Sequence, residues 1–301
     1  MDDLAIVDAH HHLWDLNGLH YPFLTDEPKA NFFLGDNSPI RKNFLPKDYR
    51  RVSARHNVIK TVHVEAECNR NSQVAESEWL SEITAEHGFP NAIVAHSWLD
   101  EENSEEILAS QAAIPLVRGI RSKPVTAPNP NSKQPGAPRT MQDPKWLDGF
   151  SLLEKYDLSW DLRVPCWHLE EAAEVAKSFP RTRIILNHTG FPWDRSKDGL
   201  ALWRYGMQAL ADMPNVHLKV SSLCLPDGPW TLEHKRPIVL EAIDIFGVDR
   251  CMFASNYPVA GLRASFDLIY TSFKTIVAHF PRDDQEKLFS RNAMAFYRID
   301  T

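Results

Sequence analysis

The 301-residue sequence predicts an α/β fold, a (β/α)₈ TIM barrel with long loops after its first and fourth strands. Three observations predict it. Short β-rich runs recur eight times, amphipathic segments of helical period separate them, and the length suits a fold of about 250 residues with loops to spare. Strand and helix alternating along the whole chain imply parallel strands joined by crossover helices. Eight strands point to closure, although pattern alone also admits an open doubly wound sheet. No break in composition divides the chain, so residues 1–301 read as a single domain.

The strands are expected at Ala5–Ala9, Ile59–Glu65, Ala92–His96, Pro115–Arg121, Leu158–Val164, Arg183–His188, Val216–Val220 and Arg250–Ala254. Apolar residues every three or four positions mark helices at Glu76–Glu86, Leu169–Phe179, Leu200–Asp212 and Pro237–Phe246. Pro180, Pro214 and Gly247 stand just past three of these, where terminators belong. Two stretches break the rhythm. Trp14–Asp48 is rich in aromatics, Pro and Asn, and Ser122–Trp146 is rich in Pro. Both follow strands, which places both on the C-terminal face of a barrel as lids over a pocket mouth.

Composition narrows the partners. A net charge of -7 and no basic face argue against nucleic acid. No apolar run is long enough for a leader or a membrane span. Cys68, Cys166, Cys224 and Cys251 lie far apart without a CxxC pair and read as reduced thiols, which suits the cytoplasm. The expected partner is a small-molecule substrate, and a homodimer is a general expectation for enzymes of this kind.

The segment Val7-Asp8-Ala9-His10-His11-His12 carries the clearest chemistry. Strand alternation places Asp8, His10 and His12 on one face. Two imidazoles at that spacing on a strand end can converge on one metal ion. His188 closes the sixth strand within Asn187-His188-Thr189-Gly190. In the second strand Thr61, His63 and Glu65 share a face opposite Val62 and Val64, and a polar face inside a barrel must be paired or used. Arg118 and Arg121 end the fourth strand, where a guanidinium fork can grip a substrate carboxylate bidentately. His96 reads equally as a core or a functional residue, and His168 as a helix cap or surface residue. Trp160, Trp167, Trp193 and Trp230 read as packing more than as pocket lining.

Together these features resemble the amidohydrolase superfamily, in the branch of 2-pyrone-4,6-dicarboxylate lactonase and L-fuconolactonase. The resemblance spans nearly the whole chain. It rests on VDAHHHLWD at 7–15, VHVEA at 62–66, RGIR at 118–121, NHTG at 187–190 and CMFASNYPV at 251–259. It implies a distorted barrel with His10, His12 and His188 at the reaction centre, while neighbouring arginines and histidines hold the substrate. It also leaves two cofactor states open: a divalent metal, zinc first, on those three histidines, or a metal-independent site.

One position departs from the pattern. The branch ends its eighth strand with Ser-Asp-Trp-Pro, whereas here Ser255-Asn256-Tyr257-Pro258 puts an amide where the carboxylate stands. Asn256 cannot accept a proton from water and is a weak, uncharged ligand. Glu65 or His63 is then the candidate proton acceptor. The resulting expectation is a hydrolase that opens a lactone or related cyclic ester of a small, polar, carboxylated metabolite, with Arg121 as the anchor. A lyase on the same barrel, a decarboxylase or dehydratase, and an inactive binding homologue are the alternatives that Asn256 leaves standing.

Overall fold

The computed structural model describes residues 4–26 and 32–300, and in it all eight predicted strands form. They are β1 Ile6–His11, β2 Val58–Val64, β3 Ala92–Ala95, β4 Val117–Ile120, β5 Ser159–Leu162, β6 Ile184–Leu186, β7 Val216–Val220 and β8 Cys251–Phe253. Every neighbouring pair is parallel and the sheet order follows the chain, β1 to β8. The two edges meet beyond β8: the Asn256 N–H donates to the His10 carbonyl and the His12 N–H to the Tyr257 carbonyl, both at 2.8 Å. The result is a (β/α)₈ barrel.

The four anticipated helices are Gln73–His87, Leu169–Ser178, Lys197–Ala211 and Leu232–Phe246. The last starts five residues before Pro237, because Thr231 accepts the His234 N–H as its cap and the proline is carried inside the helix. Helices at Pro46–Ser53, Ser104–Ala112, Pro144–Lys155 and Phe266–Ile276 complete the outer layer. Among the described residues no helix is long and apolar enough to cross a membrane.

Most apolar side chains fill the space between barrel and helices. The barrel interior is a smaller cluster that includes Val7, Ala9, Val62, Val64 and Ile185, closed from below by Phe296 and Tyr297 of the final helix, Asn292–Tyr297. That cluster corrects the parity of β2. Val62 and Val64 point inward, whereas Thr61 and His63 face the helices, Thr61 bonded to the His11 ring at 2.9 Å. Burial favours this arrangement, since the apolar row fills the enclosed interior and the polar row finds partners outside it.

A bulge corrects the parity of β1. Asp8 pairs with Thr61 and His11 with His63, so three steps on β1 match two on β2. The extra residue lets Ala9 and His10 both turn inward, which breaks strict alternation. Asp8 therefore faces outward. Its buried carboxylate accepts from Ser255 N and Oγ, Tyr49 and Tyr270 at 2.6–3.0 Å, pinning the segment after β8 to two helices. Burial raises the Asp8 carboxyl pKa above its usual value even though all four bonds pull it down.

Candidate active site

His10, His12 and His188 meet at the C-terminal mouth of the barrel. The His10 ring centroid lies 5.0 Å from that of His12 and 4.6 Å from that of His188. His12 Nδ1 donates to the Val64 carbonyl at 2.7 Å, so its Nε2 presents a lone pair. That lone pair faces Asn256 Oδ1 at 3.3 Å, while Asn256 Nδ2 donates to Ser222 Oγ at 3.1 Å. His188 Nδ1 lies 3.0 Å from Ser221 Oγ. His10 is fully buried with neither ring nitrogen bonded, and the Asn187 amide beside His188 in sequence is equally unpartnered among the described residues.

The turns that carry these groups are strained. Glu67, His188, Thr189, Phe191, Ser222 and Asn256 all have φ between 51° and 60°, in the left-handed region. They follow β2, β6, β7 and β8, so the strain is concentrated on the rim around the histidines. Each such residue costs on the order of 1–3 kcal/mol, which the surrounding packing must offset.

All three imidazoles are neutral at ordinary pH. Desolvation lowers the His10 and His188 pKa well below the usual value, helped by Lys219 under His10 and by Arg163 and Arg121 beside His188. Burial, then Arg121, brings His12 down to about 3. Below the cluster Lys219 is wholly buried and ion-paired to Asp161 across the barrel interior, and Tyr297 donates to the same carboxylate. The centre thus combines neutral imidazoles with a positive field.

A cavity of about 150 Å³ opens over this centre and is lined by His12, His188, Asn256, Arg121 and Arg163. Trp14, Phe23, Phe32 and Phe33, from the loop after β1, form its aromatic wall. That loop covers the pocket as expected, with residues 27–31 outside the described residues. The loop after β4 lines no part of this cavity. It folds instead over the β5 side, where the Ala127 N–H donates to His168 Nε2 at 2.9 Å and Glu171 bonds His168 Nδ1 at 2.6 Å. His168 stands at the N-cap position of Leu169–Ser178 as expected, but its side chain makes no cap hydrogen bond and is a buried latch for that loop rather than a surface residue.

Several anticipated roles change with this geometry. Arg121 borders the cavity, but its Nε donates to Glu65 Oε1 at 2.7 Å and an Nη to the Glu65 carbonyl at 2.5 Å, so its fork is already committed. Glu65 also holds Arg70 at 2.9 Å. Burial alone would raise its carboxyl, yet Arg121, Arg70 and Lys123 hold it well below the usual range, which removes it as a proton acceptor. His63 donates to the Leu13 carbonyl at 3.2 Å on the outer side of β2, away from the cavity. Arg118 sits near the start of β4 and donates to the Pro115 carbonyl, so it cannot hold a substrate at the opposite end of the barrel. His96 donates to Gln73 Oε1 at 2.7 Å against Trp98 and serves as a core residue. Trp160, Trp167, Trp193 and Trp230 line no part of the cavity. Arg163 was missed by sequence reasoning. Its signal was parity with Asp161, which also points inward from β5.

The donor set suits a borderline divalent metal in kind: neutral imidazoles with unbonded ring nitrogens beside an amide oxygen. Among the described residues no three His, Cys, Asp or Glu side chains form a ready-made metal cluster.

Comparison with known proteins agrees with the architecture. The family model described as amidohydrolase matches residues 7–299. The chain is 38% identical over 299 residues to an uncharacterized protein, y4mH, of Sinorhizobium fredii, covering 99% of this chain and 100% of that one. It is 28% identical to an L-fucono-1,5-lactonase of Burkholderia ambifaria, over 98% of this chain and 96% of the relative. A crystal structure of an amidohydrolase from Burkholderia multivorans with bound zinc superposes with a TM-score of 0.80 at 20% identity, covering 98% of this chain and 100% of that chain. A barrel closed between β1 and β8, a histidine cluster at its mouth and a full-length family match together place this enzyme in the amidohydrolase family.

Proposed function

We propose that this enzyme hydrolyses the ring ester of a small, polar lactone. The observation that carries the reading is that one cavity brings the neutral imidazoles of His12 and His188 and the Asn256 amide together with the cations Arg121 and Arg163. Similarity to an L-fucono-1,5-lactonase over almost the full length of both chains supports the same reaction class.

The chain's own groups suit water attack on an ester carbonyl. His12 Nε2 and Asn256 Oδ1 are two acceptors 3.3 Å apart, a pair that one water molecule can bridge with its two hydrogens. Asn256 orients that water but cannot take its proton, so an imidazole receives it. An isolated buried histidine with a pKa of about 3 is a weak base. As negative charge builds on the carbonyl oxygen, however, the adjacent imidazole's affinity for a proton rises. The Arg121 cation at the cavity border stabilises the same charge, and the imidazolium returns its proton to the departing ring oxygen. The aromatic wall of Trp14, Phe23, Phe32 and Phe33 lowers the polarity on one side of the cavity, which strengthens these interactions.

His10, His12 and His188 would hold a divalent metal, zinc by preference. Such an ion supplies Lewis acidity and lowers the pKa of water to about 7.

The test is acid release from a panel of aldonolactones and acid lactones, followed with a pH indicator and run with metal-stripped and zinc-loaded protein. Expected is release at least about a hundredfold above buffer from one panel member, lost in His188→Ala. No release from any lactone by either folded form would overturn the proposal.

A further inference from the structure

We infer that Arg163 is the seat of a carboxylate on the substrate, so that the enzyme selects acid lactones over neutral aldonolactones. The anion seat stands on the observations below; only the identification of its ligand as a lactone rests on the proposed function.

Arg163 follows β5, two residues beyond Asp161, and borders the catalytic cavity. Its guanidinium stands over two aromatic rings, with centroids 5.9 Å away at Phe33 and 5.1 Å away at Phe191. Phe33 comes from the lid after β1, and Phe191 from the strained turn after His188. Both rings lie within cation–π range, and such contacts use none of the N–H donors of the group.

The other cations around the centre are paired: Arg121 with Glu65, Lys219 with Asp161, and Lys123 with Glu67. Arg163 has no hydrogen bond or ion pair among the described residues. Desolvation, and then repulsion by Arg121, lowers its pKa to about 10, which still leaves it charged at neutral pH. A half-buried guanidinium at the cavity wall with no partner keeps its N–H donors for a ligand, and a carboxylate is the planar group its fork matches. Arg121 has spent its Nε and one Nη on Glu65, whereas Arg163 offers both edges.

Size and charge narrow the ligand. Arg163 and His188 line the same cavity, so the carboxylate belongs within a few bonds of the lactone ring. One unpaired cation matches one carboxylate.

Arg163→Met tests this with glucaro-1,4-lactone (glucarolactone) and glucono-1,4-lactone (gluconolactone), which differ only in a carboxylate against a hydroxymethyl group. The wild-type enzyme should prefer glucarolactone in kcat/KM, and the variant should lose that preference about thirtyfold, mainly through KM. A preference within threefold of wild type in the variant, or equal loss of kcat on both lactones, would overturn the seat. Calorimetric titration with glucarate reads the seat without turnover. The wild-type protein should bind it at least about tenfold tighter than Arg163→Met. Equal affinity would again overturn the inference. Weakened glucarate binding with no lactone hydrolysed by the wild type would retain the anion seat and discard the lactone reading. The melting temperature of the variant should stay level, because Arg163 holds no hydrogen bond or ion pair among the described residues; a large fall would mark Arg163 as a structural prop instead.

Discussion

Glu76 provides the sharpest test of the electrostatics beneath the cavity. The side chain is 1% exposed on the helix Gln73–His87, and its Oε1 accepts the Ala66 N–H at 3.1 Å. Burial first and the Glu65 charge second raise its pKa from 4.5 to about 8. The folded protein therefore keeps a proton that the unfolded chain releases above about pH 4.5. Its contribution to stability is fully present below that value and is lost as pH rises toward 8. Each pH unit inside that window removes about 1.4 kcal/mol, so the loss between pH 5 and pH 7 is about 3 kcal/mol. Glu76→Gln keeps the shape and the acceptor for Ala66 but has no proton to lose. The variant should melt about 5 °C above wild type near pH 7.5, and the gap should close near pH 5. Thermal melts of both proteins across that range measure it. A gap that does not vary with pH, or a variant less stable than wild type at pH 7.5, would refute the buried-acid argument.

Three other predictions follow from the same geometry. His10, His11, His12, His63, His96 and His188 all have depressed pKa values, chiefly through burial, so the stability they contribute is present above about pH 6.5 and is lost as pH falls. The pH dependence of urea unfolding near pH 5.5 should show uptake of at least about three protons, and uptake below one would contradict neutral burial. Asp8→Asn places an amide N–H₂ among four donors, which should cost roughly 3 kcal/mol and lower the melting temperature; an unchanged melt would remove Asp8 as the pin of the segment after β8. Asn256→Asp puts a charge 3.3 Å from His12 Nε2, which should raise the histidine pKa values and increase zinc retained after dialysis by about tenfold or more, with a shifted pH optimum. A hundredfold gain in lactone hydrolysis would instead mark the amide as a lesion in a former general base.

The eight strands were legible because each is a short apolar or β-branched run bounded by turn residues, and the three histidines because they sit at strand ends. Errors arose where register decides orientation. A bulge adds one residue and leaves no mark in composition, so nothing in Val7–His12 reveals that Asp8 turns outward while His10 turns inward. On β2 the polar row looked functional because polar groups inside a barrel are unusual, but the row is outside it. Arg118 and Arg121 looked alike in sequence and lie near opposite ends of β4. Glu65 could not be excluded from sequence, since its two arginine partners come from separate segments of the chain.

Asn256 and Arg163 also bear on each other. With an aspartate at position 256, the cavity would carry a fixed negative charge beside His12, and a substrate carboxylate would approach two opposing fields. The amide removes that charge while keeping a polar group that bridges His12 and Ser222. The cavity is then left with neutral imidazoles, one cation neutralised by Glu65 and one cation without a partner. Such a balance favours an anionic ground state at Arg163 and the additional negative charge that develops on the carbonyl during attack. The amide at 256 and the unpaired guanidinium after β5 thus belong to one electrostatic arrangement, and Asn256→Asp or Arg163→Met should each weaken the acid-lactone preference proposed above.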